Sequence, residues 1–294
     1  MTNQTKALLA VLGAAFVGGG AGVWIKFSLK EIPPLSFTFL RFLLAYLFVL
    51  PFLRKEKIKI KNSLKPVLVS LFSTVNIVLF AFGIRLTNAN LSQAIYAFVP
   101  ALTAIIAYFL IKERFNKQKV FGIVLGFVGL SLIIMLPLID NLNFSPGSLW
   151  GNLLIFTGAS LYAFYPVLSK KIQVNYSPIY LTAVFILTTT IVAGVLALFE
   201  LTQGLTWIRE TSLASWMGLI STAAFGTVIY YLLTQYAIKY GSAVIGTLTL
   251  YLQPFMTFFW AYLILGEKVT LLILIGCLLV IAGAYITTQT KIKA

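Results

Sequence analysis

Ten stretches of nearly unbroken apolar residues alternate with short polar breaks along the chain, at roughly 7–28, 35–53, 66–85, 91–111, 118–138, 149–169, 178–199, 213–237, 243–265 and 269–289. Each is close to the length of about 20 residues that a helix needs to cross the hydrocarbon core of a bilayer. Alternating barrel strands are absent, so the backbone of each run must satisfy its hydrogen bonds internally, as a helix. The weakest boundary is that between the third run and the fourth, where Arg85 to Asn90 forms a short polar break. Lys6 before the first run gives it a faint likeness to a signal peptide. That run is long enough to span, and no cleavage site follows it, so it is expected to be the first helix.

Part of this pattern occurs twice. Pro100, Thr103, Ala107, Tyr108, Glu113, Gly122, Leu125 and Gly129 recur 154 residues later as Pro254, Thr257, Ala261, Tyr262, Glu267, Gly276, Leu279 and Gly283, with no gap. An earlier echo at an offset of 144 relates Lys26, Pro34 and Thr38 to Lys170, Pro178 and Thr182. Two related halves are therefore expected, 1–145 and 146–294. With five spans in each, an odd number, the second half lies upside down relative to the first. Inverted halves around a midplane site are the architecture of many secondary transporters.

Composition agrees with a membrane protein. Apolar residues make up 60% of the chain and charged residues 10%, against roughly 25% charged in soluble domains, and the mean hydropathy is +0.97. No separate soluble domain is expected. The net charge of +15 lies in loops between spans and forms no soluble basic face, so no nucleic-acid partner is expected. It is better explained by the excess of cations in cytoplasmic loops. With the N-terminus inside, sixteen of the 22 cations fall on inside segments and five outside, while Arg41 is left within a span. Both termini are thus expected in the cytoplasm. Histidine is absent, Cys277 is the single cysteine and there are only seven acids. A metal centre of imidazole or clustered thiolates is thereby excluded, no cofactor is expected, and enzyme chemistry needing His or acid pairs is disfavoured.

Arg41 is the one ionisable residue well inside a span. It sits roughly 10 Å from the outer end of its helix at 1.5 Å per residue, where a cation costs about 3 kcal/mol on insertion scales. Two readings stand open. Its fork of donors either receives a substrate carboxylate, or the side chain snorkels to the interface or braces carbonyls freed at a kink. Its repeat counterpart is Phe185, so a ligand site here is asymmetric. No carboxylate lies mid-membrane, which leaves a proton relay without an obvious carrier except Glu31 or Glu200 near the outer ends. Trp24, Asn76, Tyr96, Tyr251 and Gln253 join Arg41 as candidate substrate contacts, because amides and aromatic rings near mid-span favour the bundle interior. Tyr162, Tyr165, Tyr230 and Gln235 are similarly placed. Pro100, Pro166 and Pro254 fall inside runs, and the repeated pair Pro100 and Pro254 are candidate hinges. Gly18, Gly19 and Gly20 allow either close helix packing or a flexible gate. Gly122, Gly126 and Gly129 read as a packing face. Glu113 and Glu267 sit at equivalent hairpin turns, where each either favours the start of the next helix or forms a latch.

The run Pro33-Pro34-Leu35-Ser36-Phe37-Thr38-Phe39-Leu40-Arg41-Phe42-Leu43-Leu44-Ala45 resembles the second helix of EamA-type members of the drug/metabolite transporter superfamily. The Pro, Lys-Glu-Arg, Gly, Gly pattern over 100–129 and its copy through Gly266-Glu267-Lys268 extend the likeness across the chain. The resemblance implies ten helices as two five-helix repeats, a central cavity between helices 1–4 and 6–9, helices 5 and 10 at the periphery, and alternating access. It also implies export or exchange of small metabolites, amino acids or related carboxylates first. Small multidrug relatives use an acid in their first helix, and here neither the first nor the sixth span has one. The expectation is an all-α, multi-pass protein of the cytoplasmic membrane, with the lipid bilayer and a small molecule as partners, as monomer or homodimer. A flippase or carrier of lipid-linked cargo on the same fold is the alternative.

Overall fold

A computed structural model describes residues 1–53, 64–86, 95–96, 98–113, 116–140, 149–202, 204–253, 256, 259–260 and 271–288. Among them every regular element is helical. The first seven helices are α1 (Asn3–Glu31), α2 (Pro34–Leu53), α3 (Leu64–Leu86), α4 (Val99–Ile111), α5 (Lys117–Asp140), α6 (Leu149–Ile172) and α7 (Pro178–Leu201). The short α8 (Thr206–Glu210) follows, then α9 (Leu213–Ala223), a π-helical stretch Ala224–Ile229, α10 (Tyr230–Tyr240), α11 (Ala243–Thr247) and α12 (Leu271–Thr288). Among the described residues six segments are long and apolar enough to cross a membrane: Asn3–Ala21, Pro34–Leu53, Leu64–Gly83, Leu149–Ile172, Pro178–Leu201 and Leu213–Tyr240. Val99–Ile111 and Ala243–Gln253 are shorter apolar helices.

Local chemistry sets the helix ends. Thr2, Ser177, Ser212 and Ser242 each accept the backbone N–H three residues on, and so cap α1, α7, α9 and α11. Pro33 and Pro34 stop α1 from continuing, and Pro34 and Pro178 open α2 and α7, where a missing N–H costs nothing. At the end of α4, Lys112 adopts a left-handed backbone with φ 52°, and the Glu113 N–H returns to the Ala107 carbonyl at 3.1 Å.

The apolar surface is arranged for lipid. On α7, Ile191, Val195 and Leu198 share one exposed face, while Thr182, Phe185, Ile186, Thr189 and Ala193 are buried on the other. A helix apolar outside and hydroxyl-bearing inside is suited to hydrocarbon, not water. α1 packs against α9, the π stretch and α10; α2 packs on α7; α3 on α6 and α7; α4 on α6 and α11; α5 on α12. The glycine face expected on α5 is a packing face. A Cβ at Gly122 would stand 2.7 Å from the Gly283 carbonyl and 2.3 Å from Thr287 Oγ1, and one at Gly126 would meet the Tyr251 ring at 2.6 Å.

Two expectations change on contact with the structure. The run 213–237 was expected as one regular helix, but it widens into a π turn after Ala223. Pro100 lies in the first turn of α4, not in the interior of a helix, so no internal hydrogen bond is broken there.

Candidate functional site

Arg41 lies two turns into α2 and reaches across to the π stretch. Its Nε donates to Thr227 Oγ1 at 2.7 Å and its Nη2 to the Gly226 carbonyl at 3.0 Å. The Thr227 hydroxyl in turn donates to the Thr222 carbonyl, five residues back, at 3.0 Å. A π turn displaces carbonyls from the regular α ladder. Here a threonine hydroxyl and a guanidinium take them up. Gly226 is needed for the approach of α1, since a Cβ there would lie 2.4 Å from that of Ala21. Bracing of freed carbonyls, one of the two roles open for Arg41 in the sequence, is thus present. Nη1 has no partner among the described residues, and the side chain is only half-buried.

Around this pair the helices carry a lattice of rings. Phe185 on α7 meets Phe42 at 5.7 Å edge-on, Tyr165 at 5.4 Å and Tyr231 at 4.5 Å between centroids. Tyr162 stacks on Tyr165 and Tyr230 meets Tyr231 edge-on. From Tyr165 a buried polar chain runs toward the far end of α6. Gln235 Nε2 donates to Tyr165 Oη at 2.8 Å and to Ser169 Oγ at 3.2 Å. Gln173 Nε2 donates to Gln235 Oε1 at 2.7 Å. Thr74 and Thr189 share a 2.8 Å hydrogen bond that ties α3 to α7.

The candidate contacts are not all gathered at Arg41. Tyr96 borders the same cluster as Phe42, Tyr162 and Tyr231, and its hydroxyl donates to Asn76 Oδ1. Asn76 is buried where α3 meets Gly158 of α6. Gln253 approaches Gly18 beside Tyr230, since a Cβ at Gly18 would stand 3.2 Å from Gln253 Nε2 and 2.9 Å from the Tyr230 ring. Trp24 lies along α1, its carbonyl 3.0 Å from where a Cβ on Gly218 would sit. Tyr251 belongs elsewhere: it is buried with Ala7, Ala10, Val11 and Ala237, a cluster separate from that of Phe42 and Tyr231. Its hydroxyl has no partner among the described residues. Gly18, Gly19 and Gly20 sit within the continuous α1, and Gly20 faces Trp260, whose Nε1 donates to the Phe16 carbonyl at 3.0 Å. Pro254 and Glu267 lie outside the described residues.

Charged groups at the helix ends join elements. Glu113 forms an ion pair with the buried Lys119, whose Nζ also donates to Ser242 Oγ at 3.3 Å. Lys170 Nζ donates to the carbonyls of Ile238, Lys239 and Gly241 at 2.8–3.0 Å and so caps α10. Two carboxylates join helices far apart in the chain. Glu200 on α7 accepts from the Leu35 and Ser36 N–H groups at 3.0 and 2.7 Å, at the start of α2. Glu31 of α1 accepts from the Ser212 N–H at 2.7 Å, at the start of α9. Serial N–H groups at a helix start favour an anion. Hydrogen bonds from the Ser212 N–H, and from the Ser215 and Ser212 hydroxyls, hold the Glu31 carboxyl below its ordinary value. Thr227, Gly226 and the partner helices of Glu31 and Glu200 were not singled out from sequence. A lone Arg41 within a span demands oxygen acceptors, and the Gly-Thr pair in an apolar run was the available signal for them.

The model of the EamA-like transporter family matches this chain twice, over residues 5–135 and 149–289. An "Uncharacterized transporter YoaV" of Bacillus subtilis (strain 168) is 25% identical over 297 residues, covering 98% of each chain. An "Uncharacterized transporter" of Archaeoglobus fulgidus is 28% identical over 297 residues, covering 99% of each. A solved crystal structure, 16% identical, superposes with a TM-score of 0.79 over 97% of both chains and so shares the fold. With its apolar spanning helices, this is a multi-pass cell-membrane protein, and the chain belongs to the EamA-like transporter family.

Proposed function

We propose that this transporter carries small carboxylate-bearing metabolites, amino acids first, through a site at Arg41 by alternating access. The carrying observation is the guanidinium itself. It is held by Thr227 Oγ1 and the Gly226 carbonyl, and Nη1 donates to none of the described residues. Two fixed donors orient the fork, and the third edge is available for an anion. Phe42, Phe185, Tyr230 and Tyr231 then provide apolar walls.

Two inverted halves, 1–145 and 146–294, with ten spans and both termini in the cytoplasm, complete the proposal. Exchange of the halves turns the α1 contact with α9 and α10 into that of α6 with α3, and leaves α2–α7 and α5–α12 unchanged. Such pairing supports a two-fold relation between halves, as does the double family match. The excess of inside cations supports the orientation. Rocking one half against the other would then expose the site alternately.

Counterflow in proteoliposomes tests this. Vesicles preloaded with a mixture of amino acids and small organic acids should accumulate the same labelled compounds saturably, with or without a pH gradient. No uptake of any carboxylate, together with movement of a labelled phospholipid between leaflets, would favour the flippase alternative instead.

A further inference from the structure

Hydroxyls buried in these helices follow one habit. Ser70, Thr182, Thr189, Thr190, Thr222 and Thr234 each donate to the carbonyl four residues earlier, at 2.7–2.9 Å. Ser73 departs from it. Its side chain on α3 is wholly buried, yet its Oγ has no hydrogen-bond partner among the described residues. The next residue, Thr74, is tied across to Thr189. A buried hydroxyl left unpaired is costly and asks for an explanation.

The internal repeat supplies one. The offset of 154 continues without a gap from 100–129 back through α3, so that Ser73, Leu79, Ile84 and Arg85 fall on Thr227, Leu233, Ile238 and Lys239. Ser73 is therefore the counterpart of Thr227, the residue that Arg41 Nε grips. At the offset of 144, Arg41 itself falls on Phe185. Both halves thus keep a hydroxyl at this position, but only one half has the guanidinium that engages it. Phe185 packs instead on the Tyr231 ring. Tyr231 follows Thr227 by four residues, and its ring packs against both Phe185 and Tyr230.

We propose that Ser73 is the second pole of the substrate site. Its hydroxyl, with that of Tyr231, receives the polar group a substrate carries besides its carboxylate, an α-ammonium or a hydroxyl. The described acids Glu31, Glu113, Asp140, Glu200 and Glu210 lie at helix ends, so this group meets neutral oxygens and ring faces and no counter-charge. The asymmetry of the halves then becomes the basis of selectivity: a carboxylate on the side of Arg41, a neutral or cationic donor on the side of Phe185. This inference rests on the reading that Arg41 receives the carboxylate.

The test is competition for counterflow in proteoliposomes, with labelled leucine and labelled phenylalanine as probes. Each is competed by itself, by its 2-hydroxy analogue and by its des-amino carboxylate, in wild type, Ser73→Ala, Ser73→Thr and Arg41→Gln. Ser73→Ala should raise the half-inhibiting concentration of the amino and hydroxy acids about tenfold, the worth of a hydrogen bond to a polar ligand. It should leave the des-amino acids unchanged, and Ser73→Thr should restore the wild-type pattern. Equal effects on all three compounds, or none, overturn the proposal. If Arg41→Gln weakens every competitor while Ser73→Ala weakens none, the Ser73 proposal falls and the carboxylate reading stands. If Arg41→Gln changes nothing, or no compound is taken up or competes, both fall.

Discussion

Replacing Thr227 by valine keeps the volume of the side chain and removes one oxygen. That oxygen accepts from Arg41 Nε at 2.7 Å and donates to the Thr222 carbonyl at 3.0 Å. A hydrogen bond to a charged partner contributes roughly 1.5–3 kcal/mol and a neutral one roughly 0.5–1.5 kcal/mol. Arg41 keeps its bond to the Gly226 carbonyl and is only half-buried, so it recovers part of the loss. The lower end of the sum applies, about 2 kcal/mol, or roughly thirtyfold in the folding equilibrium. Thr227→Ser keeps both bonds and loses a methyl group, at about 1 kcal/mol or less. Reversible unfolding in mixed micelles measures both variants against wild type. If Thr227→Val unfolds within about 0.5 kcal/mol of Thr227→Ser, the Arg41 bond to the π turn contributes nothing net, and the account of a braced guanidinium fails.

Two further outcomes follow from the packing and the helix ends. Gly122→Ala should separate α5 from α12, because its Cβ would fall 2.7 Å from the Gly283 carbonyl, which is backbone and yields little. A loss of about 1–3 kcal/mol is expected in the same unfolding assay, and an unchanged stability would show that the two helices are not in close contact. Glu31 has a carboxyl lowered in the folded protein from an ordinary value of 4.5. Its contribution is therefore fully present above that value and is lost as pH falls through the lower, folded one. The stability difference between wild type and Glu31→Gln should accordingly be flat at neutral pH and vanish under acid; a difference that persists unchanged in acid would show that the charge is not involved.

Much of the membrane architecture was legible because lipid imposes a simple rule: apolar all round, no unpaired backbone. α7 illustrates it, with Ile191, Val195 and Leu198 outward and still no polar face inward beyond its threonines. The π stretch was not legible, because Ala224–Ile229 is as apolar as the helices on either side and a widened turn leaves hydropathy unchanged. What betrays it is across the bundle, in the need of Arg41 for oxygens. Pro100 misled for the opposite reason. Its residue type signals a kink only inside a helix, and the helix begins one residue before it. Tyr96 and Tyr251 have the same chemistry in similarly apolar runs, yet only Tyr96 borders the aromatic lattice around Phe185. Which helix a ring meets is a property of tertiary pairing, and the order of residues along one helix does not encode it. The carboxylate bridges of Glu31 and Glu200 were missed in the same way, since each partner lies more than 160 residues away.

The central claim is that Arg41 receives the carboxylate of a transported molecule. Its most direct test is counterflow of labelled amino acids and small organic acids into proteoliposomes holding equal amounts of folded wild-type, Arg41→Lys or Arg41→Gln protein. The account predicts a loss of at least about tenfold in apparent affinity for Arg41→Gln, with Arg41→Lys intermediate, because a point charge replaces a fork. Uptake by well-folded Arg41→Gln at the wild-type affinity would contradict it and leave Arg41 as a brace for the π turn.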